Sequence, residues 1–467
     1  MENVGILVVS YGSREVAMVD TLARSKNYNI KFYIADKQKN PFNFNIAEDH
    51  VVIPDLSIEK ISDFARKYKD KIDFGIVGSE GPIIAGIRDK IETLGIPIVC
   101  PTKEFALEES KVRQRILLQE CCPETNPEFK VFDPKKDGKR DEVKKKVFSW
   151  LDELKNEVAV KPDKPGYGKG VGVWGDHFKS REEIFEHFLS IYENGGTVII
   201  EKKIDGEESS FQTFCDGKRI IPLPETRDHK RAFNDDKGPN TGGMGCYKDK
   251  EDFLPFMTKK NREKEIELVE KIFKKLRGKG TNDGLRGIPL YVAFMHSKDG
   301  PKILEINSRG GDPEIINVLA VLKDDFVDVC FDMINNSLKK VNFEKKATVL
   351  TYKVPVSYGG FSEMFPENVK KDQIGKAVSL DDAYKLAEMY GNFKIYPGSM
   401  DLRDGKTYAL CSRTVASVGI AETIEEAREI SLKGLHLVAG GALWHRDDVA
   451  SEKHIKKSIE HMKKLRK

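Results

Sequence analysis

The sequence predicts an α/β protein built from several domains. Short apolar runs alternate with helix-like stretches over the first hundred or so residues, a pattern typical of a parallel sheet. The chain has 467 residues. Because that is too many for one typical hydrophobic core, we expect about two to four domains. Strands and helices alternate again after residue 348 and predict a smaller α/β unit at the C-terminal end.

The composition is that of a globular protein without a membrane span. Hydrophobic residues make up 39% of the chain and charged residues 33%. The apolar runs stay short of the roughly 18 residues that a spanning helix needs. Acidic Glu2 near the start argues against a signal peptide. The seven cysteines lack the spacing of metal ligands or of a disulfide framework, so we expect a cytoplasmic protein.

The charge balance gives no general attraction to nucleic acid. The chain has 78 basic and 75 acidic residues, a formal net charge of +3. Lysines cluster at residues 135–146 and 456–467, but acidic or apolar residues interrupt both clusters. These clusters predict solvated helix faces, and nucleic-acid binding is a rival hypothesis that rests on them alone.

Two loops near the N-terminus follow predicted strands of the parallel sheet. Apolar runs at residues 5–10 and 73–77 are followed by loops at 10–15 and 78–82, and each loop leads into a helical pattern. Ligands of such sheets bind at the carboxyl ends of the strands, where glycines and a helix N-terminus can present N–H groups to an anion. Each loop is equally consistent with a tight turn that binds no ligand.

A glycine-rich loop at residues 162–171 (PDKPGYGKGV) lies between two predicted short strands. A helix predicted over residues 105–119 precedes it. The loop lacks the spacing of a P-loop and leads into a strand rather than a helix. We interpret it as a flexible loop over phosphate groups, with Lys161 and Lys169 as its cations. The alternative is an ordinary hairpin with surface lysines.

Residues 227–247 (RDHKRAFNDDKGPNTGGMGCY) have no apolar periodicity, although strong apolar runs flank them on both sides. The stretch combines four glycines and a proline with a cluster of charge. Loops of this length in a compact domain are usually functional or disordered, and the varied composition argues against disorder. It therefore predicts a binding loop without secondary structure of its own.

A strand predicted at residues 302–306 leads into the sequence LEINSRGGDPE. The period of two in a strand places Glu305 and Asn307 on one face. Two neighbouring oxygen ligands suit Mg²⁺, which binds one or two protein oxygens together with phosphates. Arg309 continues this face, where its guanidinium could meet phosphoryl charge. The alternative is a partly exposed strand face with paired charges.

Taken together, the motifs resemble those of the phosphoribosylamine–glycine ligases, which are ATP-grasp enzymes of purine biosynthesis. The matching stretches are GSRE, GSEGP, Ser110-Lys111, KPDKPGYGKGV, IEKKIDGEESS, DHKRAFNDDKGPNTGGMGCY and LEINSRGGDPE. Their order and spacing match over roughly the first 330 residues, and GPNTGGMG after DHKR is the most specific of them. The chain departs from the family pattern at Val16, where a histidine is usual, at Ser79, at Lys164-Pro165 in the lid, and at Gly310, where an aromatic residue is usual.

The resemblance implies a domain organisation and a reaction. It implies a Rossmann-like pre-ATP-grasp domain at residues 1–104, an ATP-grasp domain at 105–345 with a lid at about 124–199, and a C-terminal α/β domain at 346–467. The implied enzyme joins glycine to 5-phosphoribosylamine through glycyl phosphate, using ATP and Mg²⁺ (or Mn²⁺). It would be cytoplasmic, a monomer or small homo-oligomer, without a nucleic-acid or membrane partner. The rival hypotheses are another ATP-grasp carboxylate–amine ligase and an inactive ATP-binding module.

The resemblance also implies roles for individual residues. The implied ATP contacts are Lys111, Lys161 and Lys169 at the phosphates, Glu201 and Lys203 beside the adenine, and Glu208 at the ribose. Glu305 and Asn307 would be the metal ligands, and Arg309 and Lys230 the catalytic residues. The implied substrate contacts are Gly12, Arg14, Glu80, Gly81, Asp228, His229, Gly242, Gly243, Met244 and Asp312.

Overall fold

The computed structural model describes residues 1–166 and 170–467. The predicted phosphate contact of Lys169 lies outside the described residues. Within the described residues, four β-sheets contain four or more strands each, and the mixed α/β class predicted from the sequence is confirmed.

The first sheet is parallel, with the strand order β3-β2-β1-β4-β5. Its elements are β1 (Glu2–Ser10), α1 (Ser13–Ala23), β2 (Tyr28–Asp36), α2 (Pro41–Ile46), β3 (Asp49–Val52), α3 (Ile58–Lys67), β4 (Phe74–Val77), α4 (Glu80–Ala85), α5 (Ile87–Ile91) and β5 (Ile98–Val99). Strands β1 and β4 are neighbours, and from Val4 onward the residues of β1 are buried on both faces. The two loops that follow these strands therefore lie side by side at the carboxyl edge of the sheet.

The second sheet has the order β6-β9-β7-β8 and its own hydrophobic core. This part of the chain contains α6 (Lys111–Cys121), β6 (Phe129–Phe132), α7 (Arg140–Glu153), β7 (Val158–Pro162), β8 (Gly172–Val173), α8 (Arg181–Tyr192) and β9 (Val198–Lys202). Trp150 of α7 and Phe188 of α8 pack in that core. The helix predicted from residue 105 begins only at Lys111, because the Ser110 side chain caps it by accepting from the N–H of Arg113 at 3.1 Å.

The third sheet is antiparallel, with the order β11-β10-β16-β17, and α9 packs against it. The elements here are β10 (Glu207–Cys215), β11 (Ile220–Pro222), β12 (Arg227–Asp228), β13 (Arg231–Phe233), β14 (Lys237–Asn240), β15 (Gly245–Lys248), α9 (Lys259–Arg277), β16 (Tyr291–Ser297), β17 (Gly300–Asn307), α10 (Glu314–Leu319) and α11 (Phe326–Ile334). Strand β17 carries the predicted metal ligands at its C-terminal end.

Residues 227–247 are not free of secondary structure, so that prediction is wrong. The stretch contains β12, β13, β14 and most of β15, with β13 and β14 paired as a small hairpin. Strand β15 pairs with a strand about a hundred residues later, in a register that joins Gly245 to Thr351. The strands here are short, and β15 has its partner far away in the sequence. Such strands show no apolar periodicity from which they could be predicted.

The fourth sheet joins this stretch to the C-terminal part of the chain. The elements after residue 346 are β18 (Ala347–Pro355), α12 (Phe361–Met364), β19 (Val378–Ser379), α13 (Asp381–Met389), β20 (Phe393–Pro397), β21 (Met400–Arg403), β22 (Lys406–Ala409), β23 (Val415–Ala421), α14 (Ile424–His436), β24 (Ala439–Gly440), β25 (Leu443–Trp444) and α15 (Glu452–Leu465). The strand order is β12-β15-β18-β23-β20, with β25 beside β18. One continuous sheet thus crosses the domain boundary predicted at residue 346.

Across the described ranges, every helix is too short or too polar to serve as a candidate membrane span.

Candidate active site

One large cavity, of about 1340 Å³, lies where the four sheets meet. Its walls come from the carboxyl edge of the first sheet, from β7 and β9, from β17, from residues 227–242 and from the C-terminal part of the chain. Sites formed where several elements converge are typical of ligand binding. Most of the residues predicted from the sequence to contact substrates line this cavity.

Four of the predicted residues lie together at one end of the cavity, which we call the phosphate end: Lys111, Lys161, Glu305 and Asn307. Lys111 is the first residue of α6, and Lys161 lies on β7. Glu305 and Asn307 stand opposite Ala293 and Tyr291 on β16. Although burial alone would raise it, the pKa of Glu305 is held below its usual value, chiefly by Lys111 and Lys230.

A buried ion-pair chain fixes β7 against β17 at the phosphate end. Lys161 pairs with Glu201, and the second Glu201 oxygen accepts from Arg115 at 2.8 Å. Arg115 also donates to the carbonyls of Ile303 and Leu304, at 2.9 and 2.8 Å. Burial lowers the pKa of Lys161 even though Glu201 opposes the shift. The Glu201 carboxylate is therefore occupied by two cations, and sequence reasoning missed Arg115, which no motif contains.

The predicted ribose and adenine contacts lie along the adjacent wall. Lys230 Nζ and Glu208 Oε2 form an ion pair at 2.5 Å. Burial would lower the pKa of Lys230, but Glu208 and Asp228 together raise it, so this ammonium stays charged. Lys203 Nζ donates to the Trp174 carbonyl at 2.7 Å. All of these side chains except that of Trp174 belong to lining residues of the cavity.

Arg309 lies between two carboxylates, in a group that we call the Arg309 cluster: Arg14, Glu80, Glu108 and Arg309. Arg309 Nε is 3.1 Å from Glu80 Oε2 and 3.7 Å from Glu108 Oε2. Arg14 is 3.7 Å from Glu80 and donates to the Gly310 carbonyl at 3.0 Å. Glu108 was not predicted from the sequence.

The two carboxyls of the Arg309 cluster have opposite pKa shifts. Burial would raise the pKa of Glu80, but Arg309 and Arg14 lower it to about 2. Burial dominates at Glu108 and raises its pKa to about 7, against the opposing effect of Arg309. Carboxyls with separated pKa values beside one cation are a common feature of active sites.

Asp228 and His229 of the predicted substrate loop face different surroundings. Asp228 lines the cavity, and its Oδ1 has no hydrogen-bond partner among the described residues. Burial and nearby Glu314 raise the pKa of Asp228 well above its usual value. The ring of His229 is directed toward the C-terminal part of the chain, where Nε2 accepts from the N–H of Ala450 at 3.1 Å. His229 is also a lining residue of the cavity, although only 4% of its surface is exposed.

Four predicted substrate contacts are not among the lining residues of the cavity: Gly12, Gly81, Gly243 and Met244. Met244 is fully buried, its N–H donates to the His229 carbonyl at 2.8 Å, and its carbonyl accepts from the N–H of Tyr352 at 2.9 Å, so its N–H is not free to donate to a ligand. Gly243 has φ +107, and a Cβ there would lie 2.6 Å from Asp228 Oδ1. A side chain at this position would therefore prevent the close approach of Asp228.

Gly12 and Gly81 lie beside the cavity at the carboxyl edge of the first sheet. The N–H of Gly12 is taken by Glu15 at 3.0 Å. A Cβ at either glycine would meet nothing within 4 Å. Their neighbours Arg14 and Glu80 do line the cavity.

The C-terminal part of the chain contributes lining residues that sequence reasoning missed. Tyr358 accepts from the N–H of Gly242 at 3.0 Å, and Arg413 contacts both Gly242 and Asp312. These residues lie in connecting segments and belong to no motif. No signal in the sequence could have found them, because their positions depend on the pairing of β18 with β15.

The second sheet and the antiparallel third sheet enclose the phosphate end. Lysines lie on one side of it, and the Glu305–Asn307 pair lies on the other. This arrangement defines an ATP-grasp enzyme, a class that binds ATP. Two family models match the chain: the N domain of phosphoribosylglycinamide synthetase at residues 4–109 and its ATP-grasp (A) domain at residues 134–315. The chain belongs to the phosphoribosylglycinamide synthetase (phosphoribosylamine–glycine ligase) family.

Relatives match over nearly the full length. The phosphoribosylamine–glycine ligase of Methanocella arvoryzae is 38% identical over 465 residues, which cover 99% of both chains. That of Pyrococcus furiosus is 37% identical, over 99% of this chain and 98% of its own. Both identities are high enough over enough of the chain to place it in the family.

Solved structures of lower identity support the fold. Phosphoribosylamine–glycine ligase from Thermotoga maritima has a TM-score of 0.73 at 22% identity, over 95% of this chain and 100% of its own. The biotin carboxylase domain of Hydrogenobacter thermophilus 2-oxoglutarate carboxylase, solved with MgADP, has a TM-score of 0.66 at 15% identity, over 98% and 93%. The ATP-grasp fold predicted from the sequence is confirmed.

Proposed function

We propose that this protein ligates glycine to 5-phosphoribosylamine with ATP, giving glycinamide ribonucleotide, ADP and phosphate in purine biosynthesis. The observation that carries the proposal is that the predicted ATP contacts and the predicted substrate contacts line the same cavity. The Glu305–Asn307 face meets Lys111 and Lys161 at the phosphate end, and the Arg309 cluster continues the same wall. Family membership over the full chain supports the choice of substrates.

The chemistry explains why such a site is needed. A free carboxylate is a poor electrophile, so the glycine carboxylate first attacks the γ-phosphate of ATP to give glycyl phosphate. The amine of phosphoribosylamine then attacks the acyl carbon, and phosphate leaves. Little covalent work falls to the protein, and positioning and charge neutralisation dominate.

At the phosphate end, Lys111 and Lys161 would hold the ATP phosphates. The Lys161–Glu201–Arg115 chain supports this role by fixing the ammonium against β17. Glu201 and Lys203 would border the adenine, and Glu208 would accept from the ribose hydroxyls. The sheet formed by β6 to β9, with the loop after β7, would be the lid at about residues 124–199 that excludes water.

The donors on β17 fit Mg²⁺ or Mn²⁺. Glu305 offers a carboxylate and Asn307 an amide oxygen, both facing the cavity, and hard divalent cations prefer such ligands. The lowered pKa of Glu305 keeps the carboxylate ionised, as a metal ligand must be. The bound metal would supply neutralisation of phosphate charge.

Glycine and phosphoribosylamine would bind at a neighbouring part of the same cavity. We call it the amine end: Arg14, Glu80, Asp228, Arg309 and Asp312. Arg309 would stabilise the charge of the acyl phosphate, held in place by Glu80 and Glu108. Lys230 would lie between this end and the ATP. Gly242 would offer its backbone, while Gly12, Gly81 and Gly243 would shape the wall.

Further features follow from the same proposal. We propose a cytoplasmic monomer or small homo-oligomer that needs no nucleic-acid or membrane partner, in keeping with the formal net charge of +3. We keep domain boundaries near residues 104 and 345, with the qualification that the fourth sheet extends across the second of them.

The test is phosphate release with ATP, glycine and phosphoribosylamine generated in situ, with each component omitted in turn. We expect release that needs all three, together with the ribonucleotide product detected by mass spectrometry. Release that proceeds without glycine would refute the proposal. Release with another acid or amine, but not with this pair, would favour a different ATP-grasp ligase. ATP binding with no release under any combination would favour an inactive ATP-binding protein.

A further inference from the structure

Arg413 lies between β22 and β23, in the part of the chain where the sequence shows no chemistry. Its Nη1 donates to the carbonyls of Gly242 and Asp312 at 2.5 and 2.7 Å. Its Nη2 is 3.0 Å from Asp312 Oδ2, and the side chain is only 14% exposed. The guanidinium also stacks over the ring of Tyr352, 4.9 Å from its centroid. One side chain thus connects two segments of the cavity wall that are far apart in sequence.

The carboxylate of Asp312 is held at both oxygens. Tyr352 donates to Oδ1 at 2.6 Å, and the Tyr352 hydroxyl in turn lies 2.5 Å from Ser13 Oγ. Burial, reinforced by Asp312, raises the pKa of Tyr352 well above its usual value, so the phenol keeps its proton. Because Tyr352 donates to Asp312, Ser13 must donate to Tyr352. The direction of each hydrogen bond from Ser13 through Tyr352 to Asp312 is therefore determined.

The network also fixes the peptide group at Gly242. Its N–H donates to Tyr358 at 3.0 Å while its carbonyl accepts from Arg413, so the C-terminal part of the chain holds it on both sides. A Cβ at this position would lie 3.2 Å from Arg413 Cζ. Asp312 and Gly242 are thus two oxygen acceptors locked by the same cation. Carboxylate and carbonyl oxygens each have more than one lone pair, so both can still accept from a ligand.

We propose that Arg413 is a positioning residue for the amine half of the reaction. It would hold the Asp312 carboxylate and the Gly242 carbonyl as acceptors for the N–H bonds of phosphoribosylamine. Two fixed acceptors for the N–H bonds would restrict the orientation of the nitrogen lone pair, and correct orientation of a nucleophile contributes strongly to rate. The inference rests on the proposed function and adds to it the residue that orders the amine.

The position of the network supports this assignment over a role in ATP binding. At its far end it reaches Ser13, the neighbour of Arg14 in the Arg309 cluster. The hydrogen bonds and ion pair of Arg413 run to Gly242 and Asp312 rather than to the phosphate end. Burial would lower the pKa of Arg413, but Asp312 raises it, so the guanidinium remains a cation throughout. It therefore serves as a fixed anchor and not as a proton donor.

The experiment measures the three KM values and kcat for Arg413→Lys and Tyr352→Phe. Lysine keeps the charge but cannot bond both acceptors as the planar guanidinium does. We expect the KM for phosphoribosylamine to rise roughly tenfold or more, while the KM values for ATP and glycine stay within about twofold. Gly242→Ala, which crowds the guanidinium without removing it, should give the same pattern more weakly. The matched control is Arg403→Lys, whose side chain is 57% exposed and pairs with Asp401, and it should behave as wild type.

Folding and the ATP site are checked by the rise in melting temperature on adding MgATP, which should equal that of wild type. An unchanged KM for phosphoribosylamine in both variants would overturn the inference. Equal rises in all three KM values would also overturn it, because they would show general structural damage. Failure of the proposed function is distinguishable, since wild type would then release no phosphate in response to phosphoribosylamine.

Discussion

The phosphate end and the amine end of the cavity are built in different ways. The phosphate end takes its residues from α6, β7 and β17, where their spacing within each element places them. The amine end takes Arg14 and Glu80 from the starts of α1 and α4, which follow β1 and β4, Asp228 from β12, and Asp312 from the segment after β17, and Arg413 of the C-terminal part pairs with Asp312. A local pattern can specify the first kind of site, whereas the second exists only once the whole chain has folded.

The two ends also differ in charge. Glu305 is a carboxylate whose pKa is lowered by the combined effect of Lys111, Lys230, Lys161 and Arg309. Arg309, in contrast, is a cation between Glu80 and Glu108. This electrostatic balance at the phosphate end fits the charged nucleotide and metal that we propose there. At the amine end, Arg309 and Arg413 are already paired with carboxylates, which holds these cations in fixed positions.

The sharpest test of this contrast is Glu305→Gln. Loss of the carboxylate removes the stronger of the two proposed metal ligands, so we expect kcat/KM for MgATP to fall roughly 1,000-fold or more. A titration with Mg²⁺ should show that part of the loss is recovered at high metal concentration. Glu344→Gln, at an exposed position, is the control. Turnover that is unchanged at limiting Mg²⁺ would refute the metal assignment.

The next largest effect is expected for Arg309→Ala at the boundary of the two ends. Removing a donor that meets charge in the transition state typically costs roughly 100-fold in kcat. The dissociation constant for ATP should change by no more than a few-fold, because Lys111 and Lys161 remain. Arg66→Ala, at an exposed position on α3, is the control. Loss of ATP binding with a normal kcat would move Arg309 to the phosphate end.

A smaller effect is expected for Glu208→Gln. The carboxylate that we propose accepts from the ribose hydroxyls would be replaced by a neutral amide, so the KM for ATP should rise roughly tenfold with kcat nearly unchanged. Exposed Glu263→Gln on α9 is the matched control. If the KM for phosphoribosylamine rises instead, the Glu208–Lys230 pair belongs to the amine end.

The smallest effect concerns pH and the two carboxyls beside Arg309. The folded protein keeps a proton on Glu108 up to about pH 7, whereas the unfolded chain releases it near 4.5. The free energy of unfolding therefore falls as pH rises through this window. Glu108→Gln removes that loss, so its melting temperature relative to wild type should be a few degrees higher at pH 8 than at pH 5.

Glu80 provides the internal comparison for this experiment. Its pKa in the folded protein is about 2, so its contribution to stability is complete above the usual value of 4.5 and is lost only in acid. Glu104→Gln, at an exposed position near Glu108, controls for the loss of one charge. An equal difference in melting temperature at both pH values would show that Glu108 does not titrate in this window.

The sequence predicts the phosphate end well, for a physical reason. Alternation along one strand is enough to place Glu305 and Asn307 on a common face, and both line the cavity. The parallel first sheet and the long helix α9 follow from their own periodicity in the same way. Their roles in binding stay predictions until the variants are measured.

The amine end could be predicted only in part. The resemblance supplied Asp228 and Asp312, but nothing local indicates that Met244 is buried or that Glu108 faces Arg309. Tyr352 and Arg413 depend on β18 pairing with β15, a contact between residues about a hundred positions apart. Such pairings depend on tertiary packing, which a scan for motifs and periodicity does not detect.

The fourth sheet runs from β12 through β15 to β18, β23 and β20. This strand order determines which part of the cavity can form first during synthesis of the chain. Before the residues after 346 have been synthesised, β15 lacks its partner strand β18, and Asp312 lacks the guanidinium of Arg413. A nascent or truncated chain at that stage could complete the wall that we propose holds nucleotide phosphate, but not the one that we propose orients the amine. The last quarter of the sequence therefore completes the proposed amine site.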